Sequence, residues 1–247
     1  MPLDSSPLEG RRAVILGGSG GIGAATARLF AEAGAAVAVV ANTDVTRAEA
    51  VRAVLLGDGH TAHACRIEDG EALRRLAASI GAADILVNSA GFTQAVPHGD
   101  LETLTDELFD RVLRVNTRGA FSAVRAFAPL LRAGGRGLVV NISSIAATTG
   151  TGSSIAYCAA KAGMDVMGAA LARVLAPSIR VLTVSPGVVD TDFVPGRDHA
   201  AREKAGRATP LGRLCTVEDV ALVVLACATT LGYSTGSIIQ VDGGRHL

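Results

Sequence analysis

The chain has 247 residues, enough for one large domain with a substantial core or two small ones, and its 23 basic residues cancel its 23 acidic ones. Hydrophobic residues make up 49%, charged residues 19%, and there are 29 glycines and no tryptophan. That is the profile of a buried parallel sheet rich in Ala and Val, not of a disordered or fibrous chain, and the charge balance argues against nucleic acid or an anionic membrane as a partner.

Residues 1–10 carry neither a cationic n-region nor an apolar h-region, so no signal peptide is expected. The longest uninterrupted apolar run, 220–228, is too short to span a bilayer. Cys65, Cys158, Cys215 and Cys227 show neither a metal-ligand spacing nor a redox pair, and the histidines form no His-x-x-x-His pair. Reduced cysteines in a cytoplasmic protein and no metal site are expected.

In chain order, residues 1–11 read as a short loose arm and 12–16 as an apolar first strand running into glycines. Ile22, Ala25, Leu29 and Phe30 fall at helical spacing within 21–33, and Gly34 stops that helix. A second strand is expected at 36–41, then a helix capped by Asp44 or Thr46 and running to about 56. A weak third strand spans 61–67, a helix 71–80 and an apolar fourth strand 84–88. A long helical stretch, 105–132, has a break expected near 117–119, and Gly134-Gly135 ends it. Strand five is 137–142, a helix spans 154–175, and strand six is 180–185. The connection 186–212 contains a short helical piece near 199–205; Thr216-Val217-Glu218-Asp219 opens a last helix to about 231, and strand seven is 237–241. Alternating strands and helices with crossovers of helical length mean an α/β fold, a parallel sheet with helices on both faces, and no linker or repeat divides it. One domain over 1–247 is expected.

Two motifs carry chemistry. Tyr157 and Lys161 sit at i and i+4 on the helix 154–175, hence on one face one turn apart. An ammonium at roughly 4 Å in an effective dielectric near ~20 favours the phenolate by roughly 4 kcal/mol, about three units from the usual pKa near ~10. The tyrosine then becomes a usable general acid or base near neutral pH. The first strand runs into Gly17-Gly18-Ser19-Gly20-Gly21-Ile22-Gly23 and then a helix, the setting of a dinucleotide-binding turn. The glycines fit either Gly18-x-Gly20-x-x-Gly23 or Gly17-x-x-x-Gly21-x-Gly23.

Gly17-x-x-x-Gly21-Ile22-Gly23, Asn88-Ser89-Ala90-Gly91, Asn116, Ser144, Tyr157-x-x-x-Lys161 and Pro186-Gly187 occur in that order. Together, and with the tail from Tyr233 to Gly244, they resemble the short-chain dehydrogenase/reductase family over residues 9–245, in particular its 3-oxoacyl-carrier-protein reductase-like members. The resemblance implies a single Rossmann-type doubly wound sheet of seven strands, order 3-2-1-4-5-6-7. It also implies hydride transfer between a nicotinamide cofactor and a small carbonyl or secondary alcohol. Tyr157 is then the general acid in reduction and base in oxidation. Lys161 lowers its pKa and holds the nicotinamide ribose, Ser144 holds the substrate oxygen, and Asn116 lies on the proton relay. Ser143 is a twin of Ser144, and only the thirteen-residue spacing to Tyr157 selects between them.

The cofactor would be held by Gly17, Ser19, Gly20, Gly21, Ile22, Gly23, Asn42, Thr43, Ile67, Asn88, Ala90, Gly91, Tyr157, Lys161, Pro186, Gly187, Val189 and Thr191. The substrate pocket would come from 93–96, 146–154 and 188–197, with Ala146, Thr149, Val188 and Phe193 lining it, Arg197 available to meet one charge, and 190–212 as the substrate loop. Leu16, Ser89 and Arg66 depart from the family's usual Thr, Asn and Asp. An NADPH-dependent ketone or 3-oxoacyl reductase is the leading expectation. The alternatives are an NAD-dependent secondary-alcohol dehydrogenase and, in another class, a non-catalytic nucleotide-binding scaffold. NADP(H) is favoured over NAD(H). Ala41 replaces the acid that would repel a 2′-phosphate, and Asn42, Thr43 and Arg47 stand nearby, although Gly20 lacks the basic side chain common in NADP-dependent members and Asp44 is close enough to accept from a ribose hydroxyl. A homotetramer is expected through the helices 105–132 and 154–175, whose Phe121, Val124, Phe127, Val166, Met167 and Ala170 exceed what one sheet face can cover.

Overall fold

The computed structural model describes residues 6–196 and 199–247, with no account of the His199 side chain. Strands β1 (Arg12–Leu16), β2 (Ala36–Ala41), β3 (Thr61–Ala64), β4 (Ile85–Asn88), β5 (Gly137–Ile142), β6 (Ile179–Pro186) and β7 (Ile238–Val241) pair in parallel, in the order β3-β2-β1-β4-β5-β6-β7. That is the order the resemblance implied. The helices are α1 (Gly21–Glu32), α2 (Val45–Arg52), α3 (Gly70–Ile80), α4 (Asp106–Leu113), α5 (Gly119–Ala133), α6 (Ala146–Thr149), α7 (Ile155–Leu175), α8 (His199–Arg207) and α9 (Val217–Thr229).

The central strands are largely buried and carry near-continuous apolar runs because both faces are covered. On one face Ile15, Val39, Val87, Val140 and Val184 pack with Phe30 of α1 and Val220 and Val224 of α9. On the other, Leu16, Leu86, Val139 and Val181 pack with Leu73 of α3, Phe127 and Leu131 of α5 and Leu175 of α7. Capping fixes where helices start: Asp44 accepts from Thr46 N, Asp69 from the Glu71 and Ala72 amides, and Thr216 and Asp219 form a reciprocal capping box.

Several boundaries differ from expectation. The arm is not loose over residues 6–11: Leu8 is fully buried and its amide donates to Ala33 O at 2.8 Å, so its side chain anchors the segment beneath α1. Residues 1–5 of that arm, and Arg197, lie outside the described residues. The third strand ends at Ala64 and α2 at Arg52, while α8 runs on to Arg207. The 105–132 stretch is two helices joined by a π-helical turn, Arg114–Arg118. The cause is local. Asn116 Nδ2 donates to Val112 O at 2.9 Å, a carbonyl that the regular ladder would claim, and the helix widens around the inserted side chain.

Helix α7 is long and apolar enough to cross a bilayer by length and composition, although Lys161 and Asp165 interrupt its apolar run. Both of those residues are buried against the rest of the fold, and half of the apolar window is inside. Of the side chains expected to form a surplus apolar surface, Phe121, Val166 and Ala170 are exposed, whereas Val124 and Phe127 are not. Those two point inward onto the sheet and belong to its core.

Candidate active site

The site forms at the carboxyl ends of β1, β4, β5 and β6, where loops leave a parallel sheet and ligands bind in open α/β folds. Ser154 caps α7: it is buried, and its Oγ accepts from the Tyr157 amide at 3.2 Å. The cap therefore fixes the first turn, the one that carries the phenol. One turn on, Lys161 is 3% exposed, and its Nζ donates to Ile142 O at the end of β5 at 2.7 Å. The ammonium lies 5.6 Å from the centre of the Tyr157 ring. Burial lowers the lysine's pKa to about 8, opposed by the charge of Asp165.

The twin serines separate by the alternation of an extended chain. Ser143 is buried, and its hydroxyl donates toward Lys161 O at 3.5 Å. Ser144 is half-buried and its Oγ accepts from Ala146 N at 3.2 Å, on the open side. Asn116 is fully buried. Its Nδ2 donates to Phe92 O at 2.7 Å and to Val112 O, and its Oδ1 faces Phe92 N at 3.4 Å. Among the described residues no hydrogen bond joins it to Lys161; its side chain braces the segment after Gly91.

The glycine loop is built on backbone contact. Gly17 has φ +79°, and a Cβ there would stand 2.6 Å from Ala90 N; one at Gly23 would stand 2.2 Å from Gly17 O. The loop thus packs on the Asn88–Gly91 turn, where Ser89 N also donates to Leu16 O at 3.0 Å. Helix α1 has no acidic residue in its first turn, and its N-cap Gly20 offers no side chain, so its terminal amides are open to an anion. A Cβ at Gly20 would meet only Arg47 Nη2, at 3.7 Å, and one at Gly21 only Thr191 Cγ2, at 3.7 Å. These residues fit a dinucleotide pyrophosphate laid across Ser19–Gly23 and flanked by Thr191. Asn42 and Thr43 are exposed at the end of β2, beside Arg47.

Other cofactor assignments sort by what the side chains do. Asn88 is 1% exposed and its Nδ2 donates to Asn141 Oδ1 at 2.8 Å, so its side chain ties β4 to β5. Asn141, which the sequence reading passed over, is its partner. Ile67 is buried under Gly119, where a Cβ would stand 3.0 Å from Ile67 Cγ2. Pro186 is buried, Gly187 lies against Asp242, and Val189 bridges to Cys215, which fixes the turn that presents Thr191.

A cavity of about 430 Å³ is lined by Ala95, Val96, Pro97, His98, Gly152, Ser153 and 194–196, and Gly152 joins it to Tyr157. A Cβ at Gly152 would stand 3.5 Å from Tyr157 Cδ1. The three segments are the expected ones, but the lining residues are not Ala146, Thr149, Val188 and Phe193. Ala146 is buried under Gly152, and the Thr149 hydroxyl is spent on Ile145 O at 2.9 Å within α6, a helix the sequence did not reveal. The Phe193 ring instead lies 6.0 Å from the Tyr157 ring.

A family model described as enoyl-(acyl carrier protein) reductase matches residues 17–246. The chain is 37% identical over 243 residues to cis-4-hydroxycyclohexanecarboxylate dehydrogenase of Sinomonas cyclohexanicum, covering 95% of this chain and 96% of the relative. It is 34% identical over 247 residues to the 3-oxoacyl-(acyl-carrier-protein) reductase FabG of Thermotoga maritima, covering 96% and 98%. A crystal structure of a Brucella melitensis 3-oxoacyl-(acyl-carrier protein) reductase with bound NAD superposes with a TM-score of 0.86 at 30% identity, covering 99% of this chain and 95% of that one.

Gly17→Ala places a methyl into the Ala90 backbone at a φ that L residues avoid. It is expected to destabilise the cofactor-free protein by about 2–4 kcal/mol in urea unfolding and to abolish dinucleotide binding by calorimetry. Unchanged stability would show that the two loops do not lock as described.

Proposed function

Since this chain belongs to the short-chain dehydrogenase/reductase family and is an NAD(P)-dependent oxidoreductase, we propose that it reduces a small ketone or a 3-oxoacyl thioester, with NADPH preferred. The observation that carries the reading is the Tyr157 ring, set one helical turn from a buried ammonium and packed against Gly152, which lines a cavity without carboxylates. When bound, the nicotinamide supplies the hydride. The rest falls to this chain. The Ser144 hydroxyl donates to the carbonyl oxygen and orients it. Tyr157 Oη delivers the proton to that oxygen as negative charge develops there. Lys161 keeps positive charge beside the phenol, which stabilises the phenolate left behind, and holds the ribose. Asn116, in this reading, holds the relay's floor in place through Phe92. Oxidation of an alcohol runs the same groups in reverse.

Cofactor preference rests on Arg47. The basic side chain missing at Gly20 is replaced in space by a guanidinium from the next crossover, 3.7 Å from where a Cβ at Gly20 would be. Asp44 is engaged with Thr46 N at 3.0 Å and Thr46 Oγ1 at 2.5 Å as a helix cap, which draws it away from a ribose hydroxyl. The second reading, an NAD-linked secondary-alcohol dehydrogenase, is favoured by the cyclohexanecarboxylate dehydrogenase likeness and by the NAD in the Brucella relative. We read the chain as one dinucleotide-binding and catalytic domain, since one sheet runs from β3 to β7. The free cysteines support a reducing compartment, the cytoplasm. Exposed Phe121, Val166 and Val174 on α5 and α7 support assembly into a homotetramer through these helices.

On whichever member of a panel of ketones, β-ketoacyl thioesters and cyclic alcohols turns over, Tyr157→Phe should lose about 10²–10⁴-fold in kcat while cofactor affinity holds; near-normal kcat would remove Tyr157 from the chemistry. Arg47→Ala should raise KM for NADPH about tenfold or more and leave NADH unaffected, the loss of one charged phosphate contact. A wild-type preference for NADH would reverse the assignment and return Asp44 to the ribose. Sedimentation at micromolar concentration should show a species larger than the 25.0 kDa chain; a monomer alone would refute assembly.

A further inference from the structure

Asp165 follows Lys161 by one turn of α7, so Tyr157, Lys161 and Asp165 occupy positions i, i+4 and i+8 of one helix face. The reaction as described uses only the first two. Asp165 is 6% exposed, and among the described residues no donor comes within 3.5 Å of either carboxylate oxygen in hydrogen-bonding geometry. A carboxylate in that position is costly unless something compensates its charge, so its presence needs a physical reason.

The surroundings supply one. Asn141, Ser143 and Thr183 are buried at the carboxyl ends of β5 and β6, under α7. A Cβ at Gly168 would stand 3.0 Å from Thr183 Oγ1 and 3.4 Å from Asn141 Nδ2, so the helix lies close on this polar strip. Burial raises the Asp165 pKa, while the nearby Ser143 hydroxyl, free to turn from its long 3.5 Å contact with Lys161 O, and the Lys161 charge favour its ionised form.

Charges on the other elements packed against α7 are directed elsewhere. Arg111 of α4 lies over the Phe92 ring, and Asp106, Glu107 and Asp110 are exposed. Arg114 lines a surface groove, Arg118 reaches Glu68 O, and Arg180 of β6 is held by the carbonyls of Cys227, Leu231 and Ser234. Neither β5 nor α6 has an ionisable side chain. On α7 itself Arg173 is exposed three turns on, and the Cys158 thiol is held up by burial. Asp165 is the charge that acts on Lys161.

We propose that Asp165 is a positioning residue for Lys161, the buried counter-charge that keeps this lysine an ammonium in the neutral range. It acts through the lysine and touches neither substrate nor cofactor. The proposal rests on the role given to Lys161 above. The sign is definite: removing the anion disfavours the ammonium, so Lys161 should lose its proton at lower pH, and the support it gives the Tyr157 phenolate should fail at lower pH with it.

The chain has only two lysines, Lys161 and Lys204, so the full-length protein labelled with 13Cε-lysine gives two resonances and an internal reference. In the cofactor-free wild type, the Lys161 signal should titrate well below that of Lys204. In D165N its midpoint should fall by roughly one pH unit or more, with Lys204 unmoved, and D165E should restore it. Lys161 titrating at the same pH in wild type and D165N would overturn the proposal. Should D165N not fold, D165S against D165E makes the same comparison of charge removed with charge kept. Because the titration needs no turnover, it separates the two readings. A shifted lysine with an unshifted pH profile of kcat would count against the role of Lys161 in catalysis, and an unshifted lysine against Asp165 alone.

Discussion

A cation held inside the protein sets the terms for the structure around it. The Lys161 ammonium is 3% exposed and donates a hydrogen bond to Ile142 O, where β5 ends. To reach that carbonyl from α7, the helix must lie close to the sheet. It does so on small residues. A Cβ at Gly168 would press on Thr183, and one at Gly163 would stand 3.3 Å from Thr117 Cγ2. Thr117 in turn donates to Ala160 O at 2.8 Å, the carbonyl just before the lysine. Thr117 belongs to the π-helical turn, so the widened turn and the buried cation are joined directly. The turn is thus explained on both sides, by the Asn116 side chain within its own helix and by the contact it makes with α7.

Much of this was legible from the sequence because it depends on local periodicity. The apolar runs of β1, β4 and β5 are continuous because both faces are covered, and the spacing of Tyr157 and Lys161 fixes a shared helical face before any tertiary contact is known. What stayed hidden depends on which face of an element meets which neighbour. Val124 and Phe127 read as surplus surface, since periodicity gives a stripe and not the width of the sheet that covers it. The Asn88–Asn141 tie was hidden because Asn88 stands out only as part of the Asn88-Ser89-Ala90-Gly91 motif, and it is the register with β5 that brings Asn141 opposite it. Asp165 drew no notice because a lone acid on a helix is ordinarily exposed; its burial depends on how α7 rests on the sheet.

The departures from the family pattern share a physical form: a group absent from its usual position is supplied from elsewhere in space. Leu16 lacks the hydroxyl that would brace the next loop. It lies in the core instead, and the brace is made by backbone, through Ser89 N on Leu16 O and the near-contact of Gly17 with Ala90. Gly20 lacks a basic side chain, yet Arg47 brings a guanidinium to the same edge of the loop from α2. Position along the chain is therefore a weak guide to these two roles, and distance in the fold a better one. Asp165 follows the same logic. Charge near Tyr157 is set by two groups on one helix face, of which the tyrosine–lysine spacing exposes only the nearer. A reading confined to that spacing counts the cation and omits the anion behind it, although in a medium of low dielectric the more distant charge is only weakly screened.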